Sequence, residues 1–147
     1  MEKQKKKPVV LVQGPISPEF IATSIAKHSA KTDIGAHAIF LGQIRKDDTI
    51  NNAVAGIEYS AHNEMAENVF YEIREAAFAK YPMVCMHIYH SLGMVKTGEI
   101  SLFVFVSCKH REKSFEALQY IVDEIKLKVP IWKKEQYEDK TYKWIGA

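Results

Sequence analysis

The feature that most constrains this 147-residue chain is a pair of apolar segments, MVCMHIYHSL (83–92) and ISLFVFVS (100–107), set between two long helical patterns. Both have strand length and are rich in β-branched and aromatic residues, and the second is the most apolar stretch of the chain. GMVKTGE between them, with Gly93 and Gly98, reads as a turn, so the two segments predict a hairpin. Before it, Asn63 caps EMAENVFYEIREAAFAKY, where Met65, Val69, Ile73, Ala76 and Ala77 share one helical face; Pro82 stops the element. After it, REKSFEALQYIVDEIKLK predicts a second helix with Phe115, Leu118, Ile121, Val122 and Ile125 inward. A hairpin between helices argues for an α+β fold with a mainly antiparallel sheet.

The flanking segments fit that plan. Val9–Val12 reads as a short strand ended by Gly14-Pro15, and Ser17, Pro18 and Glu19 begin a helix as N-cap, first residue and first-turn acid. GAHAIFLG (35–42) is a glycine-bounded strand, QIRKDDTINN a mobile loop, and AVAGIEYSAH (53–62) another strand. Val129 precedes Pro130, which ends the last helix, and IWKKEQY and TYKWIG read as two final strands. We expect a disordered basic tail over residues 1–7 and a single domain over residues 8–147.

Composition excludes several function classes. A net charge of +2, with 20 basic against 18 acidic residues, gives no footprint for nucleic acid. The run Val9–Val12 is too short for a signal sequence or a membrane span. Cys85 and Cys108 lack a C-x-x-C partner, and each lies in an apolar run, so buried thiols in a reducing, cytoplasmic setting are expected rather than a zinc site. His87 and His90 are an odd number of positions apart and face opposite sides of their strand, which argues against a metal pair there. His90 is read as structural or supporting.

What remains is a set of cations at element ends. Lys126 sits on the last turn of the second long helix, and Lys133 follows the Pro130 break, so the chain can fold both amines toward one cleft. A lysine desolvated beside another cation has a lowered pKa and can serve as nucleophile or acid/base. The plainer reading is a solvated helix end, where lysines favour the dipole. His110 and Arg111 in CKHREKS stand where a helix begins and would form an anion site with its free N–H groups, against the plainer reading of a polar connection. Arg45 in FLGQIRKDD closes a strand and can clamp a phosphate or carboxylate.

Four stretches, FLGQIR (40–45), HSLGMVKTGE (90–99), SCKHREKSFEA (107–117) and DEIKLKVPIWKKE (123–135), together resemble the large, catalytic subunit family of molybdopterin synthase. The resemblance implies a hammerhead-type α+β fold and a central homodimer. A small ubiquitin-like sulfur-carrier subunit would bind at each end, giving a heterotetramer. The carrier's Gly-Gly C-terminus, as a thiocarboxylate, would enter a pocket and convert cyclic pyranopterin monophosphate into dithiolene molybdopterin, without metal or other cofactor. By position, Lys126 and Lys133 match the catalytic lysines, and Arg45, His110 and Arg111 match residues of the substrate and anion pocket. Phe40 and Trp132 are candidate pocket walls, with a core role as the alternative. Relatives continue past the final tryptophan with basic residues; here Trp144 is followed by three residues, and Lys140 or Lys143 would have to substitute. Two readings compete: the sulfurtransferase itself, or a carrier-docking paralogue without the chemistry. Retention of all five cations favours the enzyme.

Overall fold

The computed structural model describes residues 7–47 and 53–145. Ten elements follow in order: β1 (Leu11–Gln13), α1 (Pro18–Lys27), β2 (Ala36–Gln43), β3 (Val54–Ala61), α2 (Asn63–Lys80), β4 (Met83–Lys96), β5 (Ile100–Cys108), α3 (Arg111–Lys128), β6 (Ile131–Tyr137) and β7 (Tyr142–Ile145). The strands join in one sheet in the order β2-β5-β4-β3-β6-β7, with β1 beside β4. Among the described residues only the β1–β4 pair is parallel. The α+β, mainly antiparallel expectation therefore holds. Residues 1–6 of the expected tail and 48–52 of the expected loop lie outside the described residues, whereas Lys7 donates to Asn68 Oδ1 at 3.0 Å and stands over the Tyr71 ring.

β5 lies between β2 and β4, and its residues Ser101–Cys108 are all buried. One face of the sheet packs on α2 and α3 through Phe70, Ile73, Met86, Ile88, Leu102, Val104, Ile121 and Ile125. The opposite face carries a smaller cluster of Ile16, Ile21, Phe103 and Phe105 beneath α1. Ser17 caps α1 as its sequence requires, accepting from Phe20 N at 3.1 Å.

Several local expectations shift by one residue. His62, not Asn63, is the N-cap of α2: its Nδ1 accepts from Met65 N at 3.2 Å. The buried face of α2 is Ala66, Phe70, Ile73 and Ala77, while Met65 and Ala76 face solvent. In α3 the buried stripe is Ser114, Ala117, Ile121 and Ile125, and Phe115 is 63% exposed. Where the buried stripe departs from expectation, a small residue (Ala66 in α2, Ser114 and Ala117 in α3) fills the inner position beside bulky Phe70, Ile73, Ile121 and Ile125, so that the two sizes pack together against the sheet.

The turn is shorter than GMVKTGE suggests. β4 runs on through Gly93 to Lys96, and only Thr97-Gly98 turns, closed by Glu99 N donating to Lys96 O at 2.9 Å. Residues Met83–His90 of β4 pair with β5, but Gly93–Lys96 pair with Tyr59–Gly56 of β3. Gly93, at φ +81°, bends the strand where it changes partner, a conformation costly for any side chain.

Candidate active site at the bend of β4

The bend of β4 lies at one end of α3, and the residues of interest gather there. Lys126 reaches this point because α3 runs back over β5 and ends beside the Leu102 row, where His90, Leu102 and Gly42 stand abreast across three strands. Val129 is extended (ψ 123°), and Pro130 follows it. The chain then enters β6 and places Lys133 opposite Tyr59. Ile131, Lys133 and Glu135 alternate onto the inner face of β6 with buried Ile131, so Lys133 points the way Tyr59 does, toward the core side.

Electrostatics tie these groups together. Although Lys126 is exposed as a residue, desolvation of its ammonium by the atoms around it pushes it below the ordinary lysine range, and the charge of Lys133 lowers it further. His90 is 5% exposed, and burial drops it to about 4; its Nδ1 donates to Ser91 O at 2.8 Å, which opposes that fall, while Lys126 and Lys133 add to it. A neutral His90 therefore sits among the two lysines at neutral pH. Edge-on to its ring, 5.1 Å away, Tyr59 donates its hydroxyl to Ser101 Oγ at 3.1 Å, and burial raises the phenol. Such a group offers two ammoniums to an incoming anion, one of them holding its proton less tightly than usual, over a floor that carries no charge of its own.

Arg45 follows β2 at the same end of the sheet, two residues past Gln43, and is paired with Asp47 at 2.9 Å with its side chain 84% exposed. His110 and Arg111 do not join the group within one chain. They cap and open α3, both exposed, beside Glu112 and Phe115 in a surface concavity. Fifteen helical positions separate Arg111 from Lys126, roughly 22 Å at 1.5 Å per residue. Trp132 alternates to the outer face of β6, away from Lys133, and Phe40 packs against the main core. Lys134, on that same outer face, stands over Tyr142 and Trp144. Tyr59 escaped sequence reading, although the alternation of β3 already put it on the buried face; its pairing with Lys133 needed the β3–β6 register.

Residues 12–128 match the family model described as MoaE protein. The chain belongs to the MoaE family. It is 38% identical to the molybdopterin synthase catalytic subunit of Pyrococcus abyssi over 79% of this chain and 77% of that one. To the protein of the same name from Nostoc sp. it is 35% identical, covering 90% and 78%. The MoaE fold is also that of molybdopterin synthase from Staphylococcus aureus, with TM-score 0.83 at 30% identity over 98% of this chain and 100% of that chain. A complex of subunits 1 and 2 of molybdopterin-converting factor from Helicobacter pylori shares the fold at 22% identity, with TM-score 0.76 and coverage of 94% and 88%. Lys126 lies inside the matched family segment, whereas Lys133 lies beyond its end. No helix among the described residues is long and apolar enough to cross a membrane.

Proposed function

We propose that this chain is the catalytic subunit of a molybdopterin synthase in molybdenum cofactor biosynthesis, acting as a sulfurtransferase in the cytoplasm. Its substrate is cyclic pyranopterin monophosphate, and its sulfur comes from the C-terminal thiocarboxylate of a small ubiquitin-like carrier subunit ending in Gly-Gly. The observation that carries this reading is the mutual influence of Lys126, Lys133 and His90 at the bend of β4, in a chain of the MoaE family. Both reactants are anionic, and transfer from an acyl carrier develops oxyanion charge that an ammonium stabilises. Opening the cyclic phosphate and expelling oxygen need proton transfers, for which an amine with a lowered pKa is suited. No metal or resident cofactor enters this scheme.

Five cations were expected at one pocket, and one chain supplies three near one end of α3 and two at the other. The length of α3 supports a homodimer in which His110 and Arg111 of one protomer complete the anion site of its partner. Exposed Phe115 beside them is suited to such an interface. Carrier subunits at the two ends would make a heterotetramer, a reading supported by the two-subunit complex of the Helicobacter pylori relative. The deciding experiment combines the purified protein with thiocarboxylated carrier and cyclic pyranopterin monophosphate and measures dithiolene formation. Product is expected, and its absence with wild-type protein would remove the enzyme reading in favour of a docking paralogue.

A further inference from the structure

The sheet face away from Lys126 holds a second cluster that the proposed reaction does not use. Cys85 and His87 are two positions apart on β4, so both project toward α1, opposite to Met86 and His90. His28, the C-cap of α1, comes to meet them. Its Nδ1 lies 2.7 Å from the Ser24 carbonyl; a carbonyl only accepts, so Nδ1 carries the proton. In the neutral ring the lone pair of His28 Nε2 then points inward, 3.0 Å from His87 Nε2. The ligand atoms of His28, Cys85 and His87 all lie within 4.8 Å of one another. His28 and Cys85 are buried and His87 is half-buried. Two exposed neighbours mark the solvent side: Lys31, which donates to Cys85 Sγ at 2.8 Å, and His37, whose ring centroid is 6.2 Å from that of His28.

We propose that His28, Cys85 and His87 form a binding site for a borderline-soft divalent cation of the zinc and cobalt class, separate from the reaction centre. Two imidazoles and a thiolate are the ligand types such ions prefer, and exposed His37 beside His28 marks the side from which a water would complete the coordination. Tetrahedral zinc at about 2.0–2.3 Å from its ligands places donor atoms roughly 3.3–3.6 Å apart. The cluster reaches that spacing from its 3.0 Å and 4.8 Å extremes by small side-chain adjustments. The Ser24 carbonyl already does what an orienting partner does for a ligating histidine, fixing its tautomer and ring. On binding, the Cys85 thiol proton goes to solvent and His87 moves its proton from Nε2 to Nδ1. Three lone pairs then face the ion, and the flexible Lys31 ammonium swings out to water. The ion would fasten the end of α1, a helix whose one buried side chain is Ile21, to the sheet.

The test is cobalt titration of the full-length, metal-stripped protein with any affinity tag removed. One ion per chain is expected, with the near-ultraviolet thiolate-to-cobalt band and displacement by zinc. Cys85→Ser should abolish the band, and His28→Gln should weaken binding at least about tenfold. Unfolding curves without metal check that both variants are folded. A wild-type protein that shows no thiolate band, or binding equally strong in both variants, would overturn the proposal; the wild-type spectrum decides even if a variant fails to fold.

Discussion

Lys126 differs from the other lysines of the chain through its surroundings, not its sequence neighbours. Lys128, two residues further, is exposed and paired with Glu124, and that pairing raises its pKa. Lys126 instead faces Lys133 and His90 and is lowered. Lys126→Ala is expected to cut dithiolene formation about 10²–10⁴-fold, the range for loss of a proton-transfer group, while carrier binding measured by calorimetry stays largely intact. Turnover close to wild type would take Lys126 out of the chemistry. His90 carries a second residue-scale prediction. Its folded pKa of about 4 lies below the ordinary 6.5, so the folded state binds fewer protons between those values. Its contribution to stability is complete above pH 6.5 and is lost as the pH falls toward 4. Between pH 7 and pH 5 this term amounts to about 2 kcal/mol. Urea unfolding of His90→Gln at the two pH values should show the wild-type pH dependence reduced by about that amount; an unchanged dependence would mean that other groups set it.

At the scale of elements, the bend of β4 positions the site. Gly93 at φ +81° lets one strand pair first with β5 and then with β3, which brings Tyr59, and through it Lys133, beside His90. A Cβ there would also lie 3.3 Å from Gln13 Oε1. Gly93→Ala should therefore destabilise the fold by about 1–3 kcal/mol in thermal or chemical unfolding and lower turnover along with it. Full stability in that variant would show that the bend relaxes without a glycine. The sequence showed this element only in part. Apolar strand content and two glycines were plain, but either glycine alone could end a strand, and local composition does not say which one turns the chain. The same limit explains the one-residue rotation of α2 and α3. Hydropathy favoured Met65 and Phe115, yet close packing on the sheet selected Ala66 and Ser114, and helical periodicity alone cannot distinguish adjacent stripes.

At the scale of the whole molecule, α3 separates Arg111 from Lys126 by roughly 22 Å, so a complete pocket is expected to take one group from each protomer. Mixing and reassociating Lys126→Ala with Arg111→Ala protein tests this directly. Random pairing puts one intact site in about half of the dimers, so about a quarter of wild-type activity should return from two inactive parents. No recovery, with dimer exchange verified by mass, would place both residues in one site of one chain.

By itself the sequence determined the element types, the antiparallel α+β class, the helix stops at Pro82 and Pro130, the α1 cap and the candidate cations, because these rest on periodicity, backbone-restricting residues and residue chemistry within a few positions. Tertiary structure decided which cations share a space. Lys126, Lys133 and His90 meet only through strand register and a bend between distant segments, whereas His110 and Arg111 lie at the far end of a rigid helix. It likewise gathered His28, Cys85 and His87, which no spacing in the sequence announces. Proximity across a sheet depends on register and packing summed over the fold, and no local window of sequence contains that sum.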